Sequence, residues 1–87
     1  MEKVFISKVL KGKEPAKSIG MIDTVANKLY IPFVSKKGIS VIDIVDVDYI
    51  KEIENGYRCE EIVYDKEDRH FINVYYVTKL NKESEVK

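Results

Sequence analysis

The chain has 87 residues and balances 15 Lys+Arg against 15 Asp+Glu, so its formal net charge is zero. That length holds one small domain, burying roughly 60–65% of its unfolded surface, which leaves a lone monomer marginal. A single Cys excludes an intramolecular disulfide framework and a Cys-based zinc cluster, and it fits a reducing, cytoplasmic compartment.

In chain order, the opening segment Met1–Lys8 meets charge too early for a signal-peptide core. No run of about 18 apolar residues exists, so no membrane span is expected. Val, Ile, Tyr and Phe come in short runs between turn residues, which predicts strands. The runs are Val4–Leu10, Ser18–Asp23, Lys28–Val34, Ile39–Ile44, Tyr49–Ile53, Glu61–Tyr64 and Phe71–Thr78. Between them, Lys11–Pro15, Lys36–Gly38 and Glu54–Gly56 each carry a Gly that can take positive φ. Asp46 and Asp48 flank a tight connection, and Asp65–Arg69 is a charged turn. No segment keeps a helical apolar period. The polar stretch 81–87 reads as a disordered tail.

Several of these strands are apolar on both faces. In Ile39–Ile44, Ile39 and Val41 point one way while Ile42 and Ile44 point the other. Leu29–Val34 and Phe71–Val77 likewise do not alternate. A sheet with one wet face alternates cleanly, so this sheet must be covered on both sides. With no helix available, the cover is a second sheet or a second copy of the chain.

A shift of 44 residues lays Ile6 on Ile50, Val9 on Ile53 and Gly12 on Gly56. Ile22–Asp23 meets Tyr64–Asp65 at a shift of 42, and Leu29–Ile31 meets Tyr75–Val77 at 46. A period of this size with four short strands per unit suits one propeller blade.

The words Asn27-Lys28-Leu29-Tyr30-Ile31 and Ile39-Ser40-Val41-Ile42-Asp43 resemble the YVTN family of β-propeller repeats. Val74-Tyr75-Tyr76-Val77-Thr78 is similar to the motif that names that family. The chain departs from it at Pro32 and Phe33, where small polar residues are usual, and at Cys59, where Pro is usual. The resemblance implies a four-stranded blade, with its leading strand, over residues 4–56 and a partial second sheet over 57–80. Together these form one all-β domain of seven antiparallel strands over residues 1–80. So few strands cannot close a propeller, so the resemblance also implies a homo-oligomer. A small β-sandwich or barrel is the alternative architecture.

No catalytic constellation stands out. Cys59 and His70 are the one thiol and the one imidazole, but nothing in the sequence orients the His as a base. Asp65, Glu67 and Asp68 lie beside His70 but lack the Gly and terminal Glu of a calcium loop, so they read as a solvated turn. No metal and no cofactor is expected. In a blade, the loops at one rim would hold Lys11, Lys13, Lys17, Lys36, Lys37, Arg58, Lys79 and Lys82. The opposite rim would hold Asp23, Asp46, Asp48, Asp65, Glu67 and Asp68. The candidate binding residues are therefore Lys13, Lys36, Lys37 and Arg58, with Tyr57 beside them in a turn.

Three function classes are open to such a chain. The first is a non-catalytic β-module that self-associates and binds a protein or an anionic small ligand through basic rim loops. The second is a small DNA-binding regulator, because Lys17–Gly20, Ile31-Pro32 and Lys36-Lys37 resemble the swapped-hairpin AbrB family. Lys at that family's Arg positions reads bases less specifically. The third is an inhibitor that pairs an open β-edge with a partner.

Overall fold

A computed structural model describes residues 1–80; the predicted tail, 81–87, lies outside the described residues. Seven strands form: β1 (Glu2–Lys8), β2 (Ala16–Asp23), β3 (Lys28–Val34), β4 (Ser40–Asp46), β5 (Tyr49–Ile53), β6 (Gly56–Tyr64) and β7 (His70–Lys79). All pairings are antiparallel, and the described residues contain no helix. The predicted strands all exist, with one boundary well off: β6 starts at Gly56 rather than Glu61. Gly56 was expected in a turn. It is instead the buried first residue of the strand, and Asn55 takes the positive φ of 61°.

The strands make one sheet in the order β4-β3-β2-β1-β7-β6-β5. That corrects the expectation of a blade plus a separate partial sheet. The reason is β1, which pairs on one side with β2 and on the other with β7, from Val4–Lys79 to Lys8–Tyr75. The first and last strands thereby join what the sequence suggested as two units.

The link between β4 and β5 explains the shape. Antiparallel pairing fixes each strand's direction, and β4 and β5 run the same way, joined only by Val47 and Asp48. They are two halves of one bent strand. Val47 donates its N–H to the Asn27 carbonyl beside β3 at 2.9 Å. The next residue, Asp48, donates to the Glu60 carbonyl of β6 at 2.8 Å, on the opposite side. Alternate residues of a strand point their backbone groups to opposite sides, so this one bend turns the strand from one edge of the sheet to the other. The sheet curls into a half-barrel that meets at this bend and opens away from it.

The inside of the curl is the core. Val4, Ile6, Ile22, Leu29, Val45, Val47, Cys59, Tyr75 and Val77 are buried together, with Ile31, Ile50 and Tyr57 packed partly against them. Register places them on one face: Ile6 opposes Val77, Ile22 opposes Leu29, and Cys59 opposes Tyr75. Each such side chain contributes roughly 1.5–3 kcal/mol by leaving water. Among the described residues no second layer covers the outer face, so Ile19, Ile42, Ile44, Ile72 and Tyr76 stay exposed on it. The doubly apolar strands are thus half explained within the chain: the curl covers one face.

Two Asp residues aligned by the internal shift open similar turns. Asp23 Oδ1 accepts the N–H groups of Val25 and Ala26, both at 3.0 Å, and Asn27 has φ 59°. Asp65 Oδ1 accepts those of Glu67 at 2.8 Å and Arg69 at 3.0 Å, and Asp68 has φ 62°. These bonds favour the ionised carboxylate and hold both Asp residues below the usual range. No helix of the described residues is long and apolar enough to cross a membrane.

Candidate binding cleft

The cleft begins with Pro32. In β3 and β4 the odd-numbered residues bond one another, since Ser35 N–H donates to Ile39 C=O at 2.9 Å and Val47 N–H to Asn27 C=O at 2.9 Å. The even-numbered residues of β3 therefore face β2. Lys28 pairs with Asp23 and Tyr30 with Met21, and there the ladder stops. The next pair would be Pro32 with Ile19. Proline has no N–H, so Ile19 C=O loses its donor and β2 and β3 part. Ser18 repairs the break: its hydroxyl lies 3.1 Å from Ile19 C=O and 3.4 Å from Pro32 C=O.

Just below the parting the strands touch. A Cβ on Gly20 would stand 2.2 Å from the Tyr30 carbonyl oxygen and 2.9 Å from Ile6 Cδ1. Only glycine fits there. The sheet is pinched at Gly20 and split above it.

The split opens a cleft of about 580 Å³. Ile6, Ile31, Phe33 and Pro32 supply apolar wall, and Lys8, Lys17, Ser18, Asp43 and Tyr75 supply polar groups. Lys8 Nζ stands 5.8 Å from the Tyr75 ring centroid. The Tyr75 hydroxyl donates to Glu61 Oε1 at 3.0 Å, and Asn73 Nδ2 donates to the same oxygen at 3.1 Å. Burial is the main reason the Tyr75 phenol is pushed well above its ordinary value, with Glu61 adding to it. The phenol therefore remains a hydrogen-bond donor across the physiological range.

The sequence-derived sites divide between the two ends of the half-barrel. The loop after β1 carries Lys11 and Lys13, and the turn after β3 carries Lys36 and Lys37. Both project from the end where the cleft opens, as fixed by the Lys8–Ala16 and Val34–Ser40 pairs. Arg58 and Tyr57 do not join them. They sit at the start of β6, opposite Tyr76 and Val77, toward the other end. Arg58 is bonded to Glu60 and lies 5.8 Å from the Tyr76 ring centroid, while Lys79 Nζ is 5.4 Å from the Tyr57 ring centroid. The Asp65–Asp68 turn also moves, to the same end as Lys13 and Lys36. The expected division into a basic and an acidic rim is therefore corrected. It assumed a four-strand blade, whereas a single meander with a bent β4–β5 strand reverses the ends from β5 onward.

Cys59 and His70 do not form a pair. Cys59 is buried against Tyr75, whereas His70 is exposed opposite Tyr64, five residues further along the ladder, or roughly 17 Å. Burial pushes the Cys59 thiol up to about 11, which keeps it protonated. Arg69 spans Asp65 and Glu67 at 2.9 Å each, so the charged turn satisfies itself. Nothing in the sequence marks Lys8, Asp43 or Tyr75 as site residues, although a proline inside an apolar run, Pro32, is a signal of a broken ladder. No family model, curated protein or solved structure matches the chain.

Proposed function

We propose that the chain is a non-catalytic β-module that binds a small anionic amphiphile in the cleft between β2 and β3. The carrying observation is the split at Pro32, which opens an apolar slot beside Lys8, Lys17 and Ser18. The mouths of β-barrels are favoured places for such ligands, with apolar walls for the body and a few polar groups for orientation. The anionic preference rests on charge. Lys8 and Lys17 line the cleft, Lys11, Lys13, Lys36 and Lys37 flank its mouth, and among the described residues Asp43 is the one acidic side chain in the lining. Tyr75 adds a neutral phenol beside Lys8.

The test uses 8-anilinonaphthalene-1-sulfonate as a fluorescent probe and decanoate as a displacing amphiphile. Lys8→Glu replaces a charge-assisted contact by repulsion and should weaken decanoate binding about tenfold or more. Lys51→Glu on exposed β5 serves as the control and should leave it unchanged. Equal affinity in both variants, or no displacement by decanoate, would remove the cleft as the binding site.

A further inference from the structure

The second feature is the free edge of β4, and it stands independently of the cleft. Among the described residues, β4 pairs only with β3. Its odd-numbered residues bond β3, so Ser40, Ile42, Ile44 and Asp46 point their N–H and C=O groups away from the sheet. Natural edge strands are usually short, charged, bulged or covered. This one runs for seven residues, and Ile39, Ile42 and Ile44 around it are 58%, 61% and 55% exposed. Its ends carry opposite charge. Lys36 and Lys37 stand before it, and Asp46 and Asp48 close it.

We propose that β4 pairs antiparallel with β4 of a second copy of this chain, about a two-fold axis through Ile42. A two-fold contact must be self-complementary, since residue i meets j and j meets i. A strand that is basic at one end and acidic at the other satisfies this when two copies run antiparallel. The Lys36–Lys37 turn of each copy then lies at the Asp46–Asp48 end of its mate. The register is set by two constraints. Outward-pointing residues must oppose one another, and the overlap should be long. Axes at Ile42 and at Asp43 both meet these. An axis at Asp43 would set two carboxylates directly opposite each other, which is unfavourable. With Ile42 on the axis, Ser40 meets Ile44 of the mate, and Val41 meets Asp43 of the mate. Two seven-stranded sheets become one continuous sheet, and neither copy keeps an open β4 edge.

The experiment is sedimentation equilibrium of the full chain across concentration, combined with cysteine cross-linking in the same chain. The expected mass is twice 10.1 kDa. Ile42→Lys places two cations at the axis and should shift dissociation to at least a hundredfold higher concentration. Val25→Lys, in the turn after β2 at 94% exposed, should have no effect. Because Ile42 is exposed, folding of the Lys variant is expected and is checked by its circular dichroism.

Ile42→Cys should form an interchain disulfide on oxidation, since directly opposed, hydrogen-bonded residues have Cα atoms about 5.5 Å apart. Ile44→Cys should not, because its mate's residue 44 is displaced four positions, or roughly 14 Å. Native Cys59 is buried and does not compete. A monomer at every concentration overturns the proposal. So does a dimer that Ile42→Lys leaves intact, or one in which Ile44→Cys cross-links and Ile42→Cys does not. Decanoate binding by a monomeric Ile42→Lys variant would leave the cleft reading standing, so the two ideas fail separately.

Discussion

The β6–β7 ladder and the β2–β3 ladder are built from similar apolar sequence, yet one is continuous and the other breaks. β6 and β7 pair without interruption from Gly56–Thr78 to Tyr64–His70. β2 and β3 pair from Asp23–Lys28 to Met21–Tyr30 and then separate. Each carries a glycine against a partner carbonyl: Gly56 under Val77 and Gly20 under Tyr30. The difference lies one step further along each ladder. Beyond Gly56, the β6 residues that face β7 are Tyr57, Cys59, Glu61 and Val63, and each can donate an N–H, whereas beyond Gly20 the residue facing β2 is Pro32. One missing donor thus turns a closed wall of the half-barrel into an opening.

Alanine at the two glycines tests this contrast most strongly. A Cβ at Gly56 would lie 1.8 Å from the Val77 carbonyl oxygen and 2.9 Å from its carbon. Both are backbone atoms in an unbroken ladder, so neither strand can yield cheaply. Gly56→Ala should cost about 3–4 kcal/mol in urea unfolding, near the upper end for overpacking. Gly20→Ala meets Tyr30 oxygen at 2.2 Å, but β2 and β3 already separate one step above and can part further. Its cost should be smaller, about 2 kcal/mol. Equal costs would mean that the split side is as rigid as the continuous one.

The seven strands were legible because alternating turn chemistry bounded each run. Asp23, Asn27, Gly38, Asn55 and Asp65 all do in the structure what such residues do in turns. What was not legible was which strands pair. The β1–β7 pairing joins residues more than 65 positions apart, such as Ser7 and Tyr76, and no local pattern encodes it. The bend at Val47–Asp48 was visible only as a short connection between two Asp residues. That the two strands it joins run in one direction depends on β6 and β7 being in place. Lys13, Lys36, Lys37 and Arg58 would share one end only if every connection reversed the chain. Lys13, Lys36 and Lys37 precede the bend and stay together, whereas Arg58 comes after it and does not join them.

Alkaline pH probes the buried Cys59–Tyr75 pair of the continuous ladder. Cys59 would titrate near 9.0 in the unfolded chain, and burial raises it to about 11 in the fold. Between those values the unfolded chain has released a proton that the folded chain still holds. Stability from this group is therefore full below about pH 9 and falls as pH rises toward 11. The loss should reach roughly 2–3 kcal/mol, read from urea midpoints across that range. Tyr75, also raised by burial, adds loss in the same direction above pH 10. Cys59→Ala should remove the portion between pH 9 and 10. A wild-type midpoint that stays flat there would show that water reaches the Cys59–Tyr75 wall.

The smallest effect on stability should come from Pro32→Val, and it bears most directly on why the two ladders differ. Valine restores the N–H that faces Ile19 C=O, the acceptor now served by the Ser18 hydroxyl. One added ladder bond contributes about 1 kcal/mol, partly offset by the greater freedom of the unfolded chain once proline is gone. The net change in unfolding free energy should therefore be under about 1 kcal/mol in either direction. Amide exchange should show a larger change: the restored N–H should be protected to the degree of Tyr30, where the native chain has no amide at all. Decanoate binding should weaken as β2 and β3 close above Gly20. If the restored N–H exchanges as fast as a loop amide while binding is unchanged, the curl of the sheet, rather than the missing donor, holds the cleft open. The contrast between the two ladders would then belong to the bend at Val47–Asp48, where β4 leaves one edge and β5 takes up the other.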